Sequence, residues 1–490
     1  MRSKLIFFSL ATLLLLIFLL TGCPASPDPP ALPAEESNPS AEENNPPAGS
    51  AGTGKTVLVG ETVSFTGTAS DTDEDSVLTY SWSFLSVPVT SSLTNIDIAA
   101  ADNLEASFTP DAGGDYVLQL TISDGTDSIS PQITLQAVSF CLGINYESPT
   151  RAAYILNGVF VPLDEPEGLA AGGDFIVNRA FIYSDSEIYT GGAFVYNVSL
   201  EPLYKPVYWV NASDTVIPLN GQSFSDGVHM MEVGGDKTIH IITNEDYYWN
   251  STEAYNGTIS ADPAHNAYSI TGLDETSGNV YQAGIGSTPD STTYFLAKNQ
   301  VEIIHDTTFA PDPIADSEIF SCGGVTVIPG ATDTETKMYL FGKYEHDKLH
   351  YAGYTVNDGT WTDVGSGKDG STQDEQISFM LTPSDYIIRY DDIQSSTATY
   401  AVIIDGAAYI PAAPAFPAEE ISTTRYLYIE KIGGCVFIGG SYRYQKNQDD
   451  YIVFTVWRDG VIVFETHDSD PQDGNDYTGG DFGWSGIDFK

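Results

Sequence analysis

Four cysteines, seven histidines and 67 acidic side chains are the groups of this 490-residue chain that could carry chemistry. The cysteines stand at Cys23, Cys141, Cys322 and Cys435. Spacing this wide fits no metal-ligand pattern, and with three of them beyond Cys23 at least one thiol stays outside any internal pair. The histidines are scattered. Only His346 and His350 are near neighbours, with no carboxylate triad or cysteine beside them, so they mark no metal centre. The acidic turn Asp71-Thr72-Asp73-Glu74-Asp75 is different, because Asp71, Asp73 and Asp75 set hard oxygens at alternate positions. Calcium takes six to eight such ligands, which makes this turn the candidate calcium site, set against a plain solvated turn between strands. A second acidic run at 468–476 contains Pro471 and no closing glutamate, and reads as an acidic tail. The chain has no Gly-x-Ser-x-Gly elbow, Walker loop or zincin helix, and no catalytic residue is assigned.

Those groups must be placed by the elements around them. Arg2 and Lys4 precede an apolar run at 5–20 that closes on Thr21, Gly22 and Cys23. A cationic start, a short apolar stretch and small residues before a cysteine have the form of a secretory signal, not of folded structure. Leu20-Thr21-Gly22-Cys23 resembles the lipobox of bacterial lipoproteins. That resemblance implies cleavage before Cys23, lipid on its thiol, and display in the cell envelope, on the outer side of the cytoplasmic membrane or on the outer membrane. Residues 1–22 are then the signal peptide, and 23–52, made largely of Pro, Ala, Ser, Glu, Asn and Gly, a disordered tether. With 19 basic residues against 67 acidic ones the net charge is −48, and loss of Arg2 and Lys4 deepens it. Nucleic acid is excluded as a partner on this ground, and contact with the membrane is expected through the lipid alone.

From 53 to 138 short runs alternate in hydrophobicity between Gly, Asp and Ser turns. Leu78, Tyr80, Trp82 and Phe84 form one such run, and Tyr116, Leu118, Leu120 and Ile122 another. The period of two predicts a β-sandwich held by its own core, with Trp82 at the centre. Gly60-Glu61-Thr62-Val63, Leu78-Thr79-Tyr80-Ser81-Trp82 and Gly114-Asp115-Tyr116-Val117-Leu118 resemble the PKD type of immunoglobulin-like module. Glu74 stands where that family usually has glycine.

From 139 to 490 a repeat takes over. One half is an apolar strand ending in glycine, as in Tyr339-Leu340-Phe341-Gly342 and Val436-Phe437-Ile438-Gly439. The other is a strand closing on a turn at Asn157, Asn211, Asn250, Asn299, Asp358, Asp405 or Asp459. Asn-Gly and Asp-Gly between β runs signal a hairpin whose turn residues take positive φ. Seven such anchors at irregular intervals of about 50 residues predict a roughly seven-bladed β-propeller. The repeats resemble degenerate bacterial propellers with a Tyr-Trp-x-Asn-Gly hairpin. The expected fold is therefore all-β, an immunoglobulin-like sandwich followed by a propeller with an acidic C-terminal tail.

The aromatic content, with 29 Tyr, 23 Phe and 6 Trp, allows two uses: stacking on a ligand at blade loops, or packing between blades. The leading functional expectation is a non-catalytic, membrane-anchored envelope or surface protein that binds a polysaccharide or a protein. A propeller enzyme acting on a polymer, glycosidase or lyase, and a structural spacer of the envelope are the alternatives. No cofactor beyond the candidate calcium is expected. A closed ring brings the first and last blades together, and with them Cys141 and Cys435, the candidate disulfide; Cys322 is then the free thiol.

Overall fold

Along Gly114–Ser123, Tyr116, Leu118, Leu120 and Ile122 are fully buried and the residues between them are not. This alternation is what a strand with one face on a core requires. The computed structural model describes residues 44–73, 77–146, 151–169, 173–198, 202–216, 228–233, 237–243, 247–250, 254–256, 268–274, 279–288, 291–298, 301–306, 320–328, 337–346, 348–355, 360–365, 373–382, 384–392, 397–412, 421–446, 449–465 and 485–490. Asn45–Lys490 forms one unit.

Gly114–Ser123 belongs to a five-stranded sheet with Lys55–Leu58, Gln132–Val138, Thr79–Ser86 and the short Ser128–Ile129. Against it pack the pairs Val63–Thr66 with Glu105–Phe108 and Ala48–Ser50 with Thr68–Ser70, which completes an immunoglobulin-like sandwich. Trp82 lies at the centre as expected. It is 2 % exposed, meets Phe65 edge-on at 4.7 Å, and donates its indole N–H to Asn103 O at 3.0 Å. Strand Ala48–Ser50 falls within the stretch read as tether. Its pairing with Thr68–Ser70, and the burial of Ala51, build that end into the sandwich. The run Ala-Gly-Ser carries no hydrophobic alternation from which a strand could be read.

Beyond Val138 the described residues form seven four-stranded antiparallel sheets. Blades 2 to 7 each take four consecutive strands and begin with Phe175–Ser184, Val228–Val233, Tyr268–Asp274, Phe320–Ile328, Gln373–Thr382 and Ile421–Ile432. Blade 1 is composite. It joins Val159–Pro162, Arg151–Leu156 and Phe140–Tyr146, in that order, to the last strand, Ser485–Phe489. Each first strand packs on the next, and Ser485–Phe489 packs on both Phe175–Ser184 and Ile421–Ile432, so the ring is closed. The fold is a sandwich followed by a seven-bladed propeller. No helix among the described residues is long and apolar enough to cross a membrane.

The strands expected to end in glycine run on past it, over Glu187–Val198 and Cys435–Lys446, and the glycines mark a close approach inside the sheet. A Cβ on Gly192 would lie 1.9 Å from Ile176 O, and one on the equivalent Gly440 would lie 2.3 Å from Arg425 O. Both sit where the register of first and second strands shifts, so only glycine lets the backbones approach.

Candidate functional site

The Asn and Asp anchors of the repeat act on the backbone. Asn157, Asn211, Asp405 and Asp459 have φ between 49° and 57°, as a tight hairpin turn demands. Phe140 N–H donates to Asn157 Oδ1 at 2.9 Å and Asn157 N–H returns a bond to Phe140 O at 3.0 Å. The same exchange joins Ile188 to Asn211 and Val436 to Asp459. Blade 6 varies it, with Asp405 N–H donating to the carboxylate of Asp385 at 2.9 Å. These side chains clamp the third turn of each of these blades to the start of its second strand or the turn before it. Asn250 closes the strand Tyr247–Asn250, and Asn299 and Asp358 lie outside the described residues.

Two tryptophans of the aromatic repeats are also internal. Trp209 and Trp457 are fully buried, and each donates its indole N–H to a carbonyl of the preceding inter-blade link, Asp164 O at 3.0 Å and Ala412 O at 2.9 Å. No aromatic residue whose side chain is described is exposed. Two asparagines add to this stitching: buried Asn145 pairs with both N–H and C=O of Val177, and half-buried Asn178 donates from Nδ2 to Val228 O. A lone asparagine inside a strand carries no sequence signal for this role.

The clamps also orient the ring, because first and third turns of a blade close at one end and the links from second to third strand at the other. The sandwich stands on the first end. Gly113 N–H and Ser139 Oγ bond the carboxylate of Asp185 in blade 2, Thr56 Oγ1 donates to Gly433 O at 3.1 Å in blade 7, and Arg458 pairs with Glu61 through both its terminal nitrogens. The opposite end receives the strand ends Tyr146, Val198 and Lys446 and their counterparts.

Of the acidic turn, Asp71 and Asp73 are described and Asp75 is not. Asp71 Oδ1 accepts Asp73 N–H at 2.9 Å, and the Asp73 carboxylate accepts the backbone N–H and Nδ2 of Asn45 at 2.8 and 2.7 Å. Asp71 Oδ2 is buried with no hydrogen-bond partner. Such an orphaned oxygen suits a hard cation. Among the described residues there is no group of three or more His, Cys, Asp or Glu that could hold a metal.

Residues 51–135 match the model of a PKD domain family. Among curated proteins none matches the chain. Solved structures similar to it include a quinonprotein alcohol dehydrogenase-like protein from Bacteroides thetaiotaomicron, 12 % identical over 89 % of this chain and 96 % of that one, TM-score 0.33. Others are an oligogalacturonate lyase from Vibrio parahaemolyticus, 9 % identical over 64 % and 85 % with TM-score 0.33, and a GH43 protein from Bacillus licheniformis, 9 % identical over 77 % and 96 % with TM-score 0.25. Likenesses this distant carry no functional argument.

Where the PKD-like domain meets the ring, the expected disulfide is not formed: Cys141 and Cys435 are both free. The blades that carry them are neighbours as expected, with Phe140 and Ile155 of blade 1 in one core with Phe437 and Val456 of blade 7. Successive side chains of a strand, however, face opposite ways. Phe140, Leu142 and Ile144 enter that core, whereas Cys141 enters the next one, with Phe175, Phe194 and Trp209. Cys435 borders the first core, so one sheet separates the two thiols. Burial and then the charge of Asp488 push the Cys141 thiol well above its ordinary range. Burial, then a hydrogen bond to Asp459, raise that of Cys435. Cys23, and the side chain of Cys322 on strand Phe320–Ile328, lie outside the described residues.

Proposed function

We propose that this protein is a lipoprotein of the bacterial envelope, held to a membrane through Cys23, that binds a polysaccharide or a protein with the end of its propeller turned away from the PKD-like domain. The observation that carries this reading is the placement of the PKD-like domain on the end of the ring formed by first and third turns. Sandwich strands Lys55–Leu58 and Gln132–Val138 run parallel and end at the ring, while Asn45 is held to Asp73 at the other pole of the sandwich. The order of parts within the folded unit is then the entry point at Asn45, the PKD-like domain, the propeller and its open end. A net charge of −48 favours a neutral or basic partner. Calcium at Asp71, Asp73 and Asp75 fixes the pole where the chain enters the sandwich.

Cys23→Ser is expected to release the protein from the membrane fraction; if the variant still sediments with membrane, the anchor is misassigned. A glycan array and a pull-down with the chain lacking residues 1–44 test the binding role. Retention of a neutral polysaccharide or a basic protein supports it. Release of shortened glycan would make the protein an enzyme, and retention of nothing would leave it a spacer.

A further inference from the structure

The ring is closed by few residues. Ser485–Phe489 pairs with Phe140–Tyr146 through Phe140 with Phe489, Cys141 with Asp488, Leu142 with Ile487 and, after a register shift, Gly143 with Ser485. This strand joins parts of the chain some 300 residues apart: Asp488, which accepts Ile182 N–H in blade 2, is 306 positions from it. The pairing does not stop at the ring. Ser139 N–H donates to Lys490 O at 2.8 Å and Lys490 N–H to Ser139 O at 2.9 Å. Ser139 directly follows Val138, the last residue of a sandwich strand.

The sandwich also grips both blades that flank the seam. Asp185 of blade 2 takes bonds from Gly113 and Ser139. In blade 7, Gly433 accepts from Thr56 and Arg458 pairs with Glu61. Between these polar contacts Leu58 and Val138 of the sandwich, 2 % and 0 % exposed, complete one apolar core with Phe140 of blade 1, Phe437 of blade 7 and Phe489 of the closing strand. Without the sandwich that core would open to water along the seam, uncovering large apolar side chains whose burial stabilises the fold.

We infer that the PKD-like domain is the clasp of the propeller: it spans blades 7, 1 and 2 and holds the closing strand in place, so ring closure depends on it. Burial of Leu58 and Val138 makes sandwich and ring one cooperative unit at the seam, while the polar grips set how often the closing strand detaches.

Hydrogen exchange on the full chain tests this. In the double variant Glu61→Gln, Asp185→Asn, peptides covering 485–490 are expected to exchange at least about tenfold faster than in the wild type, while peptides from Gly114–Ser123 keep their rate. Thr56→Val, which loses the hydrogen bonds to Gly433 and Cys435 and no charge, should show a smaller increase confined to 485–490 and 430–436. An unchanged rate at 485–490 in both variants would overturn the clasp. So would calorimetry of the wild type showing the sandwich melting as a transition independent of the ring.

Discussion

Asp459 shows what a single turn residue does in this ring. Its φ of 49° suits Asn, Asp or Gly, and its carboxylate accepts Val436 N–H at 2.9 Å. Asp459→Asn keeps both features and is expected to leave stability within about 0.5 kcal/mol, whereas Asp459→Ala loses both and should cost about 1–3 kcal/mol in chemical denaturation. Equal losses in the two variants would remove the clamp as the reason for the residue. Asp111 in the sandwich makes a prediction in pH. Burial alone would raise its carboxyl, but hydrogen bonds from Ser91, Ser92 and Tyr116 hold it at about 2, below its ordinary 3.8. A depressed carboxyl stabilises the fold fully above the unfolded value and loses that contribution as pH falls from 3.8 through about 2. Asp111→Asn is therefore expected to flatten the stability curve over that interval and to leave its shape at neutral pH unchanged. The thiols give a third check: native Cys141, buried and with a raised pKa, should resist alkylation that reaches it after denaturation.

At the scale of elements, the hairpins, the recurrence of glycine in the second strands and the sandwich alternation were legible because each is local: a turn, a close approach, a period of two. Trp82 could be placed at a core centre for the same reason. The Tyr-Trp pattern left open whether its rings face a ligand or the neighbouring blade, since periodicity tells which side of a strand is apolar but not what covers it. Trp209 and Trp457 settle the use of those two: their indole nitrogens reach a carbonyl of the preceding link, and their rings are fully buried. Trp457→Phe should lose about 1–2 kcal/mol and Trp457→Ala about 3–5 kcal/mol, measured by thermal or denaturant unfolding. The disulfide was misread because adjacency of blades follows from repeat order, whereas the facing of a side chain turns on a one-residue register. Ala48–Ser50 and Ser485–Phe489 were missed because strands of three and five residues, paired to segments far off or poor in hydrophobic residues, leave almost no pattern.

For the whole molecule, the pole of the sandwich at Asn45 and the open end of the ring lie on opposite sides of the contact between the domains. If Asp71 Oδ2 and its neighbours take calcium, chelation should lower the melting temperature of the full chain, and Asp71→Asn should abolish the difference. An unchanged melt in the wild type would make the turn a plain one. The composite first blade has a further consequence, in the order of synthesis. Of the ring's strands Ser485–Phe489 is the last to be made, and until it arrives Phe140–Tyr146 has a partner in Arg151–Leu156 and a bare edge on its other side. A bare edge is a template for any strand of matching sequence. A chain ending at 484 should therefore recruit from solution what it lacks: a synthetic peptide of residues 485–490 is expected to restore its thermal stability, and two full-length chains that fold side by side can exchange their last strands to give a swapped pair.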